Sequence, residues 1–254
     1  MSSAKIKNEK LYDEFFLRKT FDTPALITAA KNEIRDILKI TKLVDKATVL
    51  DVACGSGRHL KALSNLGFKC AGVDISGSCI KIAKQNCPDL TDQLYHDDFI
   101  NFSKCADRKY DMVLIVGASF GYQENEDQNL NFLNSAFNVT TQNGHLVIQF
   151  INRMWAKNTY KKKLTFWVEE EEFYVLDRRE YVQTKLKSEK IFINRAEKSE
   201  RKYRDSITTY TRQEIFELMD LLKLKYEVLC ENLQNGAENP SISSGIETII
   251  IKKL

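Results

Sequence analysis

The sequence predicts an α/β protein: a doubly wound parallel sheet with helices on both faces, followed late in the chain by an antiparallel β insertion. Two observations carry this. From residue 48 to 151, short apolar or β-branched runs alternate with helical periodicity, the pattern of parallel strands joined by crossover helices. From about Trp155 to Arg212 that period gives way to short strands of alternating polarity, with no glycine among them. At 254 residues and 43% hydrophobic, the chain can bury a full core and fits one domain with an elaboration.

Residues 1–44 read as a helical cap. Between Leu11 and Leu43, apolar residues at Phe15, Phe16, Leu26, Ile27, Ala30, Ile34, Ile37 and Leu38 recur near helical spacing, as one or two helices, and Thr23-Pro24 supplies a helix start. The core then runs as strand 48–52, helix 58–66, strand 69–74, helix 77–86, strands 93–96 and 111–116, helix 125–140 and strand 144–151. Leu130, Leu133, Ala136 and Phe137 share one face of helix 125–140, and Thr141 to Gly144 supply a turn after it. In the insertion, 155–211, short strands are expected at 165–168, 173–176, 179–184, 190–194 and 206–210. A helix at 212–223 and strands near 225–230 and 246–252 return to the core, residues 45–154 and 212–254, with a loop at Asn235 to Pro240.

The run Thr48-Val49-Leu50-Asp51-Val52-Ala53-Cys54-Gly55-Ser56-Gly57-Arg58-His59-Leu60 is a strand, a glycine loop and a helix start. Such a turn lets backbone N–H groups approach a ligand that a Cβ would hold off. The dinucleotide pattern G-x-G-x-x-G fails because Leu60 stands where its last glycine belongs, and no Gly-Lys-Ser/Thr follows to make a phosphate loop. Asp51 closes the first strand. Asp74 closes the second, about twenty residues beyond the loop, where a carboxylate can accept from both hydroxyls of a ribose or cap the next helix.

Val49 to Gly57 resembles motif I of the class I S-adenosylmethionine-dependent methyltransferases, D-x-A/G-C-G-x-G. Val73-Asp74-Ile75-Ser76 is similar to their ribose-binding motif, and Tyr95-His96-Asp97-Asp98-Phe99 to the segment that meets the adenine amino group. Tyr110 to Ile115 and Asn143 to Ile148 resemble their fourth and fifth strands. The five segments stand in order across roughly residues 45 to 150. The resemblance implies a Rossmann-like, seven-stranded, mostly parallel sheet ending in an antiparallel hairpin, with the 155–211 insertion as a lid over the carboxyl edge, where ligands of open α/β sheets bind.

The resemblance also assigns cofactor residues. Ala53, Gly55 and Gly57 form the turn near the methionine portion of S-adenosylmethionine, with Asp51 ordering that loop. Asp74 takes the ribose hydroxyls, and Ile75 packs on the adenine. Asp98, with Asp97 as its competitor, accepts from the adenine amino group beside Phe99, and Val116 and Gly117 face the sulfonium. The product is S-adenosylhomocysteine.

Methyl transfer from a sulfonium needs collinear donor and nucleophile, exclusion of water and, where required, loss of a proton. It requires no fixed triad, so substrate-side residues are less visible. Ser119-Phe120-Gly121-Tyr122 resembles small-molecule methyltransferases, including sugar N-methyltransferases, and Tyr122 is read as pocket wall, hydrogen-bond donor or packed aromatic. Tyr12-Asp13 resembles an element that closes over the donor, with core packing the alternative for Tyr12. His59 is either a general base or a helix-start hydrogen-bonding group. Arg153, ending the fifth strand, is placed to attract an anionic group, whereas His96 and His145 read as structural.

A net charge of +3 is too small to imply nucleic acid by itself. Residues 155–212 hold 15 Lys and Arg against 10 Asp and Glu, with aromatics interleaved, which would suit RNA. Glu169 to Glu172 interrupt that field, and alternating charge suits a solvated lid with its aromatics turned inward. The six cysteines show no C-x-x-C and no spacing suited to a metal, which points to a reducing, cytoplasmic setting. The N-terminus lacks the apolar stretch of a signal peptide, and the longest apolar run, Met112 to Ala118, is too short for a bilayer, so no membrane partner is expected. The expected reaction is methylation of nitrogen or oxygen on a small molecule. The rivals are an RNA or protein methyltransferase docking through the basic insertion, and a non-catalytic scaffold that binds the cofactor. A homodimer stays open.

Overall fold

The computed structural model describes residues 13–106, 108–170, 172–230 and 245–254. The cap is two helices, α1 (Glu14–Thr20) and α2 (Pro24–Thr41). Asp13 caps α1, its carboxylate accepting from Phe16 N at 2.8 Å. Thr23 caps α2 with Pro24 in its first turn, which is why the helical periodicity breaks between them. Tyr12 and the 235–240 loop lie outside the described residues.

The core elements follow as β1 (Thr48–Val52), α3 (Arg58–Ser64), β2 (Lys69–Asp74), α4 (Gly77–Asn86), a 3-10 turn over Pro88–Gln93, β3 (Leu94–His96), α5 (Phe99–Cys105), β4 (Tyr110–Phe120), α6 (Glu126–Val139) and β5 (Thr140–Ile151). After the insertion come α8 (Arg212–Leu221), β10 (Tyr226–Cys230) and β11 (Ile246–Lys253). These strands form one seven-stranded sheet in the order β10-β11-β5-β4-β1-β2-β3. β1 pairs in parallel with β2 and β4, β2 with β3 and β4 with β5, while β11 pairs antiparallel with β5 and β10. The predicted doubly wound sheet with its terminal hairpin is therefore present.

Each face of the sheet has its own core. Ile34 and Ile37 of α2, Leu60 and Leu63 of α3 and Ile80 and Ala83 of α4 cover one face, against Val49, Met112 and Leu114. Phe132, Leu133, Ala136 and Phe137 of α6 and Ile215 and Met219 of α8 cover the other, against Leu50, Val113 and Ile148. Each such aliphatic or aromatic side chain contributes roughly 1.5–3 kcal/mol on burial.

The insertion opens with a helix that the pattern did not show, α7 (Arg153–Thr159), where strand periodicity was expected from 155. Seven residues are too few to display a helical period, and its cap, Asn152 accepting from Trp155 N at 2.7 Å, is its clearest local cause. Four strands follow, not five: β6 (Leu164–Glu169), β7 (Phe173–Val182), β8 (Lys185–Asn194) and β9 (Glu200–Thr208). They pair antiparallel in sequence order as a separate sheet. The expected strands 173–176 and 179–184 merge because β8 pairs with β7 continuously from Phe173 to Val182, across the charged residues at 177–180. The expected turn at 141–144 is also absorbed into a strand, since β5 starts at Thr140 opposite Tyr110 and carries Asn143 at φ +62°. No helix among the described residues is long and apolar enough to cross a membrane.

Candidate active site

The carboxyl ends of β1, β2 and β4 meet at a cavity of about 280 Å³, at the lower end of the range for small-ligand sites. Its floor is the loop after β1. Ala53, Gly55 and Gly57 all take positive φ there, at 57°, 55° and 79°. For Ala53 the left-handed backbone costs on the order of 1 kcal/mol, the kind of strain that persists where the surroundings over-determine it. A Cβ at Gly57 would press on Ala83 Cβ and Cys87 Sγ at 3.3 Å, so this glycine brings α3 close to α4, while Gly55 faces open space.

Asp74 ties the floor to β2. Its carboxylate accepts from Gly55 N at 2.9 Å and from Ser76 N at 2.8 Å, and burial raises its pKa against the lowering effect of those two bonds. Ile75, Asp97, Asp98, Phe99, Ile100 and Phe132 line the far end. Asp98 caps α5, accepting from Ile100 N at 2.8 Å, and Asp97 accepts from Asp98 N at 2.7 Å.

The near end is a bulge in β4, where pairing with β5 slips between Ile115 and Phe120 and Gly117 and Ala118 take φ of 72° and 58°. Gln149 holds the bulge by accepting Gly117 N–H at 2.7 Å. The same side chain donates to Glu33 and, at 3.1 Å, to Thr248, and Glu33 accepts from His59 Nε2 at 2.8 Å. One polar network thus joins α2, α3, β4, β5 and β11 behind the cavity.

A second cavity, also about 280 Å³, opens between the bulge and the lid. Phe21, Arg58, Gly117 and Tyr122 line both cavities. The lid contributes Asp177, Arg179, Ser188, Lys190 and Asp205 from β7, β8 and β9, with Phe16, Trp155 and Leu186 as apolar walls. Asp177 is bound by Arg179 at 2.9 Å and lies 3.7 Å from Lys190 Nζ. Asp205 accepts instead from hydroxyls, those of Tyr122 at 3.2 Å and of Ser188, and burial raises its pKa.

Comparison with known proteins agrees with this geometry. The profile of the Methyltransferase domain family matches residues 49–144. A dTDP-3-amino-3,4,6-trideoxy-alpha-D-glucopyranose N,N-dimethyltransferase of Streptomyces venezuelae is 25% identical over 155 residues, which span 61% of this chain and 60% of that relative's length. Two solved structures share the fold over nearly their whole length. An S-adenosylmethionine-dependent methyltransferase from Clostridium acetobutylicum ATCC 824 has a TM-score of 0.77 at 15% identity, covering 94% of this chain and 96% of that one. CalS10 from Micromonospora echinaspora, an amino pentose methyltransferase solved with S-adenosylmethionine bound, has a TM-score of 0.70 at 16% identity, covering 96% and 98%. The chain thus carries a match to the Methyltransferase domain over residues 49–144 and shares the fold of S-adenosylmethionine-dependent methyltransferases over nearly its whole length.

S-adenosylmethionine fits the first cavity. The floor leaves open space at Gly55, a carboxylate ends β2, and further carboxylates stand beside Phe99. Of the cofactor residues read from the sequence, Ala53, Gly55, Asp74, Ile75, Asp98, Phe99, Val116 and Gly117 line it, whereas Asp51 and Gly57 do not. Asp51 does not order the loop by hydrogen bonding. Its carboxylate is fully enclosed behind the loop, with no partner for either oxygen among the described residues, and the tie to the loop comes from Asp74.

On the substrate side, Tyr122 reaches the junction of the two cavities. His59 lines the first, although its Nε2 is committed to Glu33. Arg153 lines neither. It binds Glu214 and the Thr209 carbonyl at 2.7 Å, so its charge ties α7 to the start of α8. His96 Nε2 donates to the Ile75 carbonyl at 3.1 Å, and His145 is buried in β5.

Arg58, Asp205 and Glu33 were not singled out by the motifs. Arg58 adjoins the glycine loop and could have been found there. Asp205 sits in a charged run, 200–205, that reads like any solvated strand. Among the described residues no group of three or more His, Cys, Asp or Glu is disposed to hold a metal.

Proposed function

We propose that this methyltransferase transfers a methyl group from S-adenosylmethionine to an amino group of a small, sugar-like molecule held in the second cavity. The observation that carries the reading is Asp205: a half-buried carboxylate, held by neutral hydroxyls, in the wall of that cavity and one hydrogen bond from the residue shared with the first. An amine is largely protonated near neutral pH and must lose a proton to expose its lone pair. A carboxylate whose pKa burial has raised is matched to that task. An alcohol would need a much stronger base. The amino-sugar N,N-dimethyltransferase among the relatives supports the same acceptor class.

When bound, the donor supplies a methyl group made electrophilic by its positively charged sulfur. Asp74 is the residue for its ribose, Ile75 and Phe99 for the faces of its adenine, and Asp98 with Asp97 for the adenine amino group. The backbone of Ala53 and Gly55 adjoins its methionine portion, and Val116 and Gly117 its sulfur. On the acceptor side, Asp205 orients the ammonium form and takes its proton, and Tyr122 fixes Asp205 at the cavity junction. Phe16, Phe21, Trp155 and Leu186 exclude water from that junction.

Ion pairing within the lid weighs against the rival reading of the insertion as a basic docking surface. Arg178 and Arg204 pair with Glu189, Arg179 with Asp177 and Arg195 with Glu169, so these lid arginines are engaged within the lid. Four buried free thiols, Cys54, Cys70, Cys79 and Cys87, fit the reducing, cytoplasmic setting that we also propose. Incubation with S-adenosylmethionine and dTDP-3-amino-3,4,6-trideoxy-α-D-glucopyranose, followed by mass spectrometry, tests the acceptor. A methyl gained on nitrogen is expected. Methylation of the 3-hydroxy counterpart with none of the amine would overturn the reading.

A further inference from the structure

We propose that Arg58 is the anion receptor of this site, its guanidinium at the neck between the two cavities pairing with an acidic group on a bound ligand. The inference rests on the donor site described above and adds the residue that neutralises the ligand's charge there.

Arg58 is the first residue of α3, directly after Gly57, and it lines both cavities. Its Nη2 lies 2.8 Å from the point where a Cβ on Gly117 would stand, so the missing side chain at 117 makes room for the guanidinium on the β4 bulge. Other arginines around the lid, Arg153, Arg178, Arg179 and Arg204, each hold a carboxylate. Arg58 has no hydrogen bond and no carboxylate within ion-pair distance among the described residues.

The surrounding acids are engaged elsewhere. Both oxygens of Glu33 accept hydrogen bonds, from His59 and Gln149; Asp22 accepts from Asn86 at 3.4 Å; and Asp51 is walled off behind the loop. They reach Arg58 only through the longer-range field, and burial pulls the guanidinium below its ordinary pKa in spite of them. A partly buried cation without a contact partner is a standing cost to the fold, which a ligand anion would remove. A planar guanidinium presents two parallel N–H donors, the geometry that a carboxylate or a phosphate accepts.

Two sources can supply that anion: the carboxylate at the amino-acid end of the donor, or an acidic group on the acceptor such as a diphosphate. Calorimetric titration of the full chain separates them with three probes. S-adenosylhomocysteine carries the carboxylate, 5′-methylthioadenosine keeps the adenosyl thioether but lacks the amino-acid end, and thymidine diphosphate carries only an acidic group of the second kind.

For a cofactor anion, Arg58→Met lowers S-adenosylhomocysteine affinity on the order of 10- to 100-fold and leaves 5′-methylthioadenosine within twofold. For an acceptor anion, the comparable loss falls on thymidine diphosphate. Arg58→Lys, which keeps the charge without the fork, gives a smaller loss in the same probe. Because the substitution removes an uncompensated charge, the ligand-free Arg58→Met protein melts no lower than wild type, which separates this role from a structural one. Equal loss of both adenosyl compounds, or no loss in any probe, overturns the proposal. Wild type that binds neither adenosyl compound overturns the donor site and this inference together, whereas wild type that binds both, with Arg58→Met indifferent, overturns this inference alone.

Discussion

The phenol of Tyr122 donates to a carboxylate oxygen of Asp205 at 3.2 Å, across 83 residues of sequence and from the edge of the core sheet to the lid. The bond ties the lid to the segment after β4, and on the proposed reading the same carboxylate takes the proton of an acceptor amine. Asp205→Asn keeps the size and one hydrogen bond but cannot take a proton. Its kcat with an amino-sugar acceptor should fall about 100-fold or more, as for removal of a general base, with S-adenosylhomocysteine affinity within twofold. Tyr122→Phe should cost about tenfold by the same measure. Steady-state kinetics alongside calorimetry checks both, and wild-type kcat in Asp205→Asn would remove Asp205 from the chemistry.

Asp74 differs in that a backbone N–H holds each of its oxygens, Gly55 N–H on one and Ser76 N–H on the other, with the Cys79 thiol as a further side-chain partner. Asp74 also lines the first cavity, where we propose that it takes the ribose hydroxyls. Asp74→Ala removes both the loop ties and the ligand contact, so it should lower S-adenosylhomocysteine affinity on the order of 100-fold and also lower the melting temperature. Asp74→Asn should separate the effects, restoring most of the stability but little of the affinity. Unchanged affinity in Asp74→Ala would remove the ribose assignment.

These contrasts explain what could be read from the sequence. The loop from Ala53 to Gly57, Asp74 and Asp98 were legible because backbone geometry and strand ends constrain them locally, with little need of distant partners. Asp205 and Glu33 were not, because their roles depend on contacts across 83 residues to Tyr122 and 116 residues to Gln149. Asp51 marks the opposite failure. The resemblance gave it the role of ordering the loop, and only the packing shows its carboxylate enclosed with no hydrogen-bond partner among the described residues. Strand boundaries in the lid blurred for a related reason. With charged residues in place of glycine turns, the continuous pairing of β7 with β8 is a tertiary fact with no local signal.

That enclosed carboxylate has a consequence for pH. Burial pushes the Asp51 pKa up to about 6, with His59 and Arg58 opposing the rise. An unfolded aspartate titrates near 3.9, so between those values the folded chain binds a proton that the unfolded chain does not. Asp51 therefore contributes full stability below about pH 4 and loses it as pH rises through about 6, by about 3 kcal/mol in the limit. Asp51→Asn removes this dependence. In urea unfolding, the stability of the variant relative to wild type should rise between pH 4 and pH 7. A difference that stays flat over that range would show that Asp51 is ionised in the fold throughout.

The lid is also fastened at its other end, by the cap. Tyr203 of β9 places its hydroxyl 3.0 and 2.9 Å from the two carboxylate oxygens of Asp13, the residue that caps α1. Its ring lies 4.4 Å from that of Phe16, and Phe15 meets Phe173 and Phe192 edge-on at 5.1 and 5.2 Å. Helix α1 and the segment after it in turn supply Leu17 and Phe21 to the first cavity and Phe16 and Phe21 to the second. Loosening this latch should thus weaken binding in both cavities while leaving the chemical groups in place. Asp13 is partly exposed, so the bond is worth only about 1 kcal/mol. Tyr203→Phe should then raise Kd for S-adenosylhomocysteine about fivefold and KM for the acceptor by a similar factor, with kcat nearly unchanged. The Tyr203→Phe and Asp13→Ala changes should not add in a double-mutant cycle, because either one removes the same bond. Additive losses would show that the two residues act separately, and the latch would then rest on the aromatic cluster alone.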